Sequence, residues 1–214
     1  MNITKATIKI YDKIAEKYAA SFNKNKINSI EKEVILAFIN SLPYGAKILD
    51  VGCGNCDYYF LFCEKNLDYT GIDLSKEMIK IAKRDNPTGK LIVKDMRKLD
   101  FPENSYDGIF CFFSLIHIQK NEVNSVMKKL SNILKHNGKI LIAIQEGENE
   151  VFVDTTFLPG KKIFLDLFSE QEIKILLEHN RFKIVTLRKR LSESKNELPY
   201  NKMYILASNQ KNRI

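Results

Sequence analysis

Three aspartates close three short apolar runs at nearly equal intervals, and this rhythm restricts the fold more than any other feature of the chain. The runs are Lys47-Ile48-Leu49-Asp50-Val51, Tyr69-Thr70-Gly71-Ile72-Asp73 and Leu91-Ile92-Val93-Lys94-Asp95. The aspartates lie 23 and 22 residues apart, the length of one strand, one helix and their turns. Short apolar runs stopped by glycine or acid are what buried parallel strands look like. Tyr106–Phe113 reads as a fourth strand, Lys139–Ile144 as a fifth, and Phe182–Arg188 and Met203–Ala207 as the last two.

Helical patterns fill the gaps. Ile10, Ile14, Tyr18 and Phe22 form a stripe at helical period, and Ile30, Val34, Leu36, Ala37 and Phe38 repeat it before the Leu42-Pro43-Tyr44-Gly45 turn. Tyr58–Lys65 and Lys76–Arg84 suit helices, the second capped by Ser75. Asn121–Lys135 is amphipathic and stopped by Asn137-Gly138, and Ser169–His179 opens with the capping box Ser169-x-x-Glu172. Strand alternating with helix predicts an α/β fold, a parallel sheet with helices on both faces. No linker or low-complexity stretch divides the 214 residues, so we expect one domain over 1–214.

Composition narrows the class. At 44% hydrophobic and 28% charged, the chain is ordinary globular protein. It has no apolar run of the roughly 18 residues a membrane helix needs. No secretory signal is visible at the N-terminus, and a cytoplasmic protein is expected. The net charge of +8 invites a nucleic-acid reading. However, 28 of the 34 basic residues are lysine, scattered near acids and accompanied by 19 asparagines, with no basic block. Nucleic acid is therefore not the expected partner. Cys53-x-x-Cys56 lacks a second ligand pair for zinc; a thioredoxin-like pair and plain free thiols both remain open readings. No metal is expected.

Ligands of open α/β sheets bind beyond the carboxyl ends of the strands, so the three aspartates converge on one crevice. Between the first two lies Gly52-Cys53-Gly54-Asn55-Cys56-Asp57. Two glycines let the backbone approach a ligand. A dinucleotide fingerprint would place a third glycine where Asp57 stands, and an acid there repels a diphosphate. Asp73, some 20 residues on, suits a ribose diol. The ligand implied is a nucleoside with ribose, no phosphate and a cationic part.

S-adenosylmethionine has those parts, and here a family resemblance becomes plain. Ile48-Leu49-Asp50-Val51-Gly52-Cys53-Gly54 resembles the first motif of class I S-adenosylmethionine-dependent methyltransferases, and Gly71-Ile72-Asp73-Leu74-Ser75-x-x-Met78 their second. Lys94-Asp95-Met96-Arg97 with Leu99, Tyr106-Asp107 and Leu134-x-x-x-Gly138 resemble the remaining motifs in order, over roughly residues 8–145. Ser114-Leu115-Ile116-His117, Gln145-Glu146-Gly147-Glu148 and the final strand look like the methyltransferase 11/25-type branch acting on small molecules in bacteria. The resemblance implies a Rossmann-like three-layer sandwich whose seven-stranded, mostly parallel sheet has an antiparallel last strand. It also implies an N-terminal helical lid over 1–42 and an inserted acceptor-side segment over 146–168.

The same resemblance implies roles. Asp50 and the Gly52, Cys53 and Gly54 backbone would serve the methionine moiety, and Asp73 both ribose hydroxyls. Leu74 and Met78 would flank adenine, and Asp95, with Met96 and Arg97 beside it, would take its amino group. Phe112, Phe113 and Ser114 would line the methyl-transfer end, with Tyr11 and Tyr18 as a cover, although both tyrosines equally suit anchoring a helix to the core. Cys56 departs from the family's usual third glycine.

Methyl transfer from a sulfonium needs alignment and exclusion of water, and a base only when the acceptor must lose a proton. His117 is the candidate base, or else a packing residue at the next helix start. Glu146, Glu148 and Glu150 would either meet an amine acceptor or form a solvated loop. Cys111-Phe112-Phe113-Ser114 is not Asn-Pro-Pro-Tyr, and no proline precedes Cys111, which argues against the enzymes using those signatures. The expected activity is methylation of a small-molecule acceptor, leaving S-adenosylhomocysteine, by a monomer or homodimer. A tRNA base or other RNA is the alternative acceptor, and a catalytically silent partner subunit the alternative class.

Overall fold

The computed structural model describes residues 3–22, 27–155, 157–192 and 197–211. Two helices lead, α1 (Ile3–Ser21) and α2 (Ser29–Asn40). Strands β1 (Lys47–Val51), β2 (Asp68–Asp73), β3 (Lys90–Val93), β4 (Tyr106–Phe112) and β5 (Leu134–Gln145) follow, separated by α3 (Tyr59–Cys63), α4 (Lys76–Asp85) and α5 (Lys120–Ile133). A hairpin of β6 (Glu150–Asp154) and β7 (Lys162–Asp166) precedes α6 (Glu170–His179), β8 (Phe182–Arg190) and β9 (Lys202–Asn209).

Seven strands form one sheet in the order β3-β2-β1-β4-β5-β9-β8, and β9 alone runs against its neighbours. The expected architecture is present, antiparallel last strand included. Alternate side chains explain why both faces need cover. Ile109, Ile140 and Ile142 enter one apolar cluster with α5 and α6, while Phe110, Leu141 and Ala143 enter another with α2 and α4. The order reverses at β1, which lies between β2 and β4. That switch point opens a crevice at the strands' carboxyl ends.

Several local expectations need correction. The buried face of α2 is Val34, Ile35, Phe38 and Ile39, whereas Leu36 is half-buried and Ala37 exposed. α3 has five residues, shorter than Tyr58–Lys65. The third strand stops at Val93, so Asp95 lies two residues beyond it and caps a 3-10 turn over Met96–Lys98. α5 ends at Ile133, before Asn137-Gly138. Its last carbonyls are met by side chains from the far end of the chain. The Lys211 ammonium donates to Ser131 and Asn132 oxygens, and the Asn209 amide to Ser131 and Leu134 oxygens. A glycine cap is unnecessary when distant donors satisfy those groups. His136 lies in β5 with its Nδ1 against the Lys211 carbonyl. The capping box of α6 and the Ser75 cap of α4 are both formed.

Candidate cofactor and acceptor site

A cavity of about 250 Å³ lies at the carboxyl ends of β1, β2 and β4 under α1. It is lined by Tyr11, Tyr18, Asp50, Gly52, Cys53, Gly54, Asp73, Leu74, Met78, Asp95, Met96, Phe112, Phe113, Ser114 and His117. The residues expected to hold the donor, and the candidate base, are thus gathered at one place, with Arg97 the exception.

The glycine loop explains its own composition. Gly52 has φ +73° and Gly54 φ +54°, the left-handed region that glycine enters without a Cβ penalty. A Cβ on Gly52 would also sit 2.3 Å from the Ser114 Cβ, so the first turn of the loop touches the end of β4. Gly54 has open space on that side, and its N–H donates to Asp73 Oδ2 at 2.9 Å. The Ser75 N–H donates to the other Asp73 oxygen at 2.8 Å. Burial pushes the Asp73 carboxyl up, opposed by these backbone donors. Two fixed amides hold the carboxylate at the end of β2 facing the cavity, with lone pairs left for a ligand's hydroxyls.

Each remaining acid has a different partner. Asp50 is buried and accepts from the Tyr69 hydroxyl at 2.5 Å; burial pushes its carboxyl up to about 7. Asp95 faces a two-point fork from Arg97, with Nη2–Oδ2 at 2.7 Å and Nε–Oδ1 at 3.0 Å. Burial works to raise the Asp95 carboxyl, but the Arg97 hydrogen bonds and charge hold it below its ordinary value. Arg97 reaches on to Thr4 Oγ1 and Glu122 and does not line the cavity. Its place is behind Asp95, holding it, because the guanidinium plane matches the carboxylate. Asp57 lines the cavity, and burial pushes it up to about 6 against a bond from Asn55.

His117 joins three elements. Its Nδ1 lies 2.9 Å from the Phe164 carbonyl in β7 and its Nε2 2.9 Å from the Tyr11 hydroxyl in α1. A carbonyl only accepts, so Nδ1 carries the proton and Nε2 is left with a lone pair facing Tyr11. Burial lowers the imidazole's affinity for a second proton. The histidine is therefore both packed and chemically poised, and the two readings of it are compatible.

The acids of the loop after β5 lie elsewhere. Glu146 pairs with Lys189 at 2.6 Å and accepts from Asn201; Glu150 accepts from the Lys120 N–H at 2.8 Å; Glu148 is exposed. None of the three lines the cavity. The 146–168 segment contains the β6–β7 hairpin. Phe164 and Phe168 enter the core, Phe157 packs on Tyr18 with ring centres 5.5 Å apart, and Phe152 is exposed. The four cysteines are free; Cys53 and Cys111 are both pushed upward by burial, so neither is a ready thiolate. Among the described residues no acid, histidine and cysteine cluster could hold a metal.

Reasoning from the sequence missed several lining residues, among them Thr4, Ile8, Phe22 and Tyr58. Thr4, Ile8 and Tyr11 recur at helical spacing on α1, so the stripe carried the signal. Phe22 and Tyr58 meet edge to face at 5.5 Å although 36 residues separate them, and no local pattern announces that.

The strand order with its antiparallel β9 is the Rossmann-like fold seen in solved S-adenosylmethionine-dependent methyltransferases. Residues 48–138 match the family model described as a methyltransferase domain. It is 30% identical over 146 residues to the demethylmenaquinone methyltransferase of Thermotoga maritima, covering 64% of this chain and 61% of that protein. It is also 30% identical over 151 residues to the tRNA (carboxymethyluridine(34)-5-O)-methyltransferase of Arabidopsis thaliana, covering 70% of this chain and 34% of that one. The chain spans between 49% and 63% of the length of the bacterial curated relatives it is compared with. An S-adenosylmethionine-dependent methyltransferase structure from Methanosarcina mazei superposes with a TM-score of 0.74 at 19% identity, covering 82% of this chain and 97% of that one. That likeness bears on the fold. Among the described residues no helix is long and apolar enough to cross a membrane.

Proposed function

We propose that this chain transfers the methyl group of S-adenosylmethionine to a small-molecule acceptor. One observation carries the reading: the Asp73 carboxylate, pinned by the Gly54 and Ser75 N–H groups, stands beside a glycine turn that brings backbone close to a ligand. A ribose diol suits that two-point acceptor, and the acid at position 57, where a dinucleotide fingerprint has glycine, disfavours a diphosphate. In this reading Asp73 takes the ribose hydroxyls, Leu74 and Met78 enclose adenine, and Asp95 takes its amino group while Arg97 positions Asp95. Gly52, Gly54 and Asp50 serve the methionine tail. The bound donor supplies an electrophilic methyl on a positively charged sulfur.

The chain's own residues then align the acceptor and exclude water. Phe112, Phe113 and Ser114 shape the floor; Tyr11 and Tyr18 form the cover. His117 Nε2 is the base for any acceptor that must lose a proton, reached through or beside the Tyr11 hydroxyl. The demethylmenaquinone relative supports a small acceptor. The tRNA relative and the +8 net charge support the alternative, which a steep salt dependence of tRNA binding would reveal. Four free thiols accord with a reducing cytoplasm.

Calorimetric titration with S-adenosylmethionine tests the reading. We expect saturable one-site binding, weakened in Asp73→Ala by about 1–3 kcal/mol, since charge-assisted hydrogen bonds are lost. Absence of binding to the wild-type chain, or unchanged affinity in the variant, would refute the assignment.

A further inference from the structure

After the ribose, adenine and methionine groups are allotted, Asp57 is the acid of the cavity left without a role, and it has neither a cation nor a backbone donor among the described residues. Asp73 holds two amides, Asp95 an arginine fork and Asp50 the Tyr69 hydroxyl. Asp57 has only the Asn55 amide, on Oδ1, among the described residues. Burial raises both the Tyr18 and the Tyr58 hydroxyls, and the nearby Asp57 carboxylate adds to the rise. Tyr58 stands in an aromatic wall, with Phe22 at 5.5 Å and Phe112 at 5.1 Å from it by ring centres, and Tyr18 lines the same cavity. Lys94, the one lysine among the described residues that lines the cavity, is held by Asp100 at 2.5 Å.

Aromatic faces and a carboxylate together attract cations and repel anions. We propose that Asp57, framed by Tyr18, Phe22, Tyr58 and Phe112, selects an acceptor bearing a basic amine, and that the methyl group goes to nitrogen. This rests on the functional reading above and names its substrate class. The ammonium that Asp57 attracts first releases a proton to solvent; the freed nitrogen lone pair then forms the new N–C bond, the C–S pair stays on sulfur, and the methylated nitrogen carries the positive charge. Asp57 and the ring faces answer that new charge. A carboxylate or phosphate ester on the acceptor would meet the acid instead.

The test uses the full chain saturated with S-adenosylhomocysteine and two probes of similar size and opposite charge, 2-phenylethylamine and 3-phenylpropionate, titrated at pH 7.5. The amine is expected to bind at least about tenfold more tightly. In Asp57→Asn, with its thermal midpoint checked for folding, that preference should vanish while affinity for S-adenosylhomocysteine stays within about twofold. Equal or tighter binding of the carboxylate, or no binding of the amine, overturns the proposal. So does an Asp57→Asn variant that loses S-adenosylhomocysteine affinity and keeps its amine preference, which would assign the acid to the donor's own ammonium. Failure of the wild-type chain to bind S-adenosylhomocysteine would instead overturn the methyltransferase reading itself.

Discussion

Replacing Asp50 with asparagine should stabilise the ligand-free protein in alkaline solution and leave it little changed in acid. The Asp50 carboxyl has an ordinary value of 3.8 and is pushed to about 7 by burial, against the lowering effect of the Tyr69 hydroxyl. Between those two values the unfolded chain has released the proton and the native chain still holds it. Stability therefore falls as pH rises through this window and is flat above about 7. At about 1.36 kcal/mol for each pH unit of that window, the ceiling is near 4 kcal/mol, and water entering the cavity lowers it. The asparagine of the variant cannot ionise and still accepts from Tyr69 through its amide oxygen. For a chain of this size, 1 kcal/mol moves the melting midpoint by about 2–4 °C. The Asp50→Asn variant should thus gain several degrees over the natural chain at pH 8 relative to the difference measured at pH 5. Thermal unfolding of both proteins across pH 4–9 would read this directly. A difference independent of pH would show that burial does not perturb Asp50 as argued.

Two other perturbations test the site. Gly52→Ala places a Cβ 2.3 Å from the Ser114 Cβ at a φ of +73°, so the turn must shift. S-adenosylmethionine affinity should fall at least about tenfold with secondary structure intact by circular dichroism; unchanged affinity would separate the turn from binding. Nitrogen NMR of His117 should show the proton on Nδ1 and a titration midpoint below 6.5, because burial disfavours the cation. A proton on Nε2, or an ordinary midpoint, would remove the basis for a lone pair facing Tyr11.

Much of this was legible because the decisive features are local. Strand-length apolar runs, Ser75 and Ser169 caps and the spacing of Asp50, Asp73 and Asp95 need no tertiary information. The order of the sheet and the gathering of the cavity follow from them. What escaped reading was settled by partners far away in sequence. Asn209 and Lys211 end α5 before the chain reaches its own Asn137-Gly138 stop. Arg97 looks like a neighbour of the adenine site in sequence, yet its fork turns back on Asp95 and its remaining nitrogen finds Thr4 and Glu122. The acids after β5 are drawn off by Lys189, Asn201 and the Lys120 amide. Asp57 was recognised for what it repels, but its isolation from cations emerges only when all its neighbours are placed.

The close approach of Gly52 to Ser114 ties two segments that are 62 residues apart into a single heritable unit. A side chain at one position demands that the other give up its own, so neither can drift alone. Among descendants of such a chain, an alanine arising at 52 should persist only where 114 has shed its Cβ. Laboratory selection for restored donor binding in Gly52→Ala should return glycine at 114 ahead of changes elsewhere in the loop.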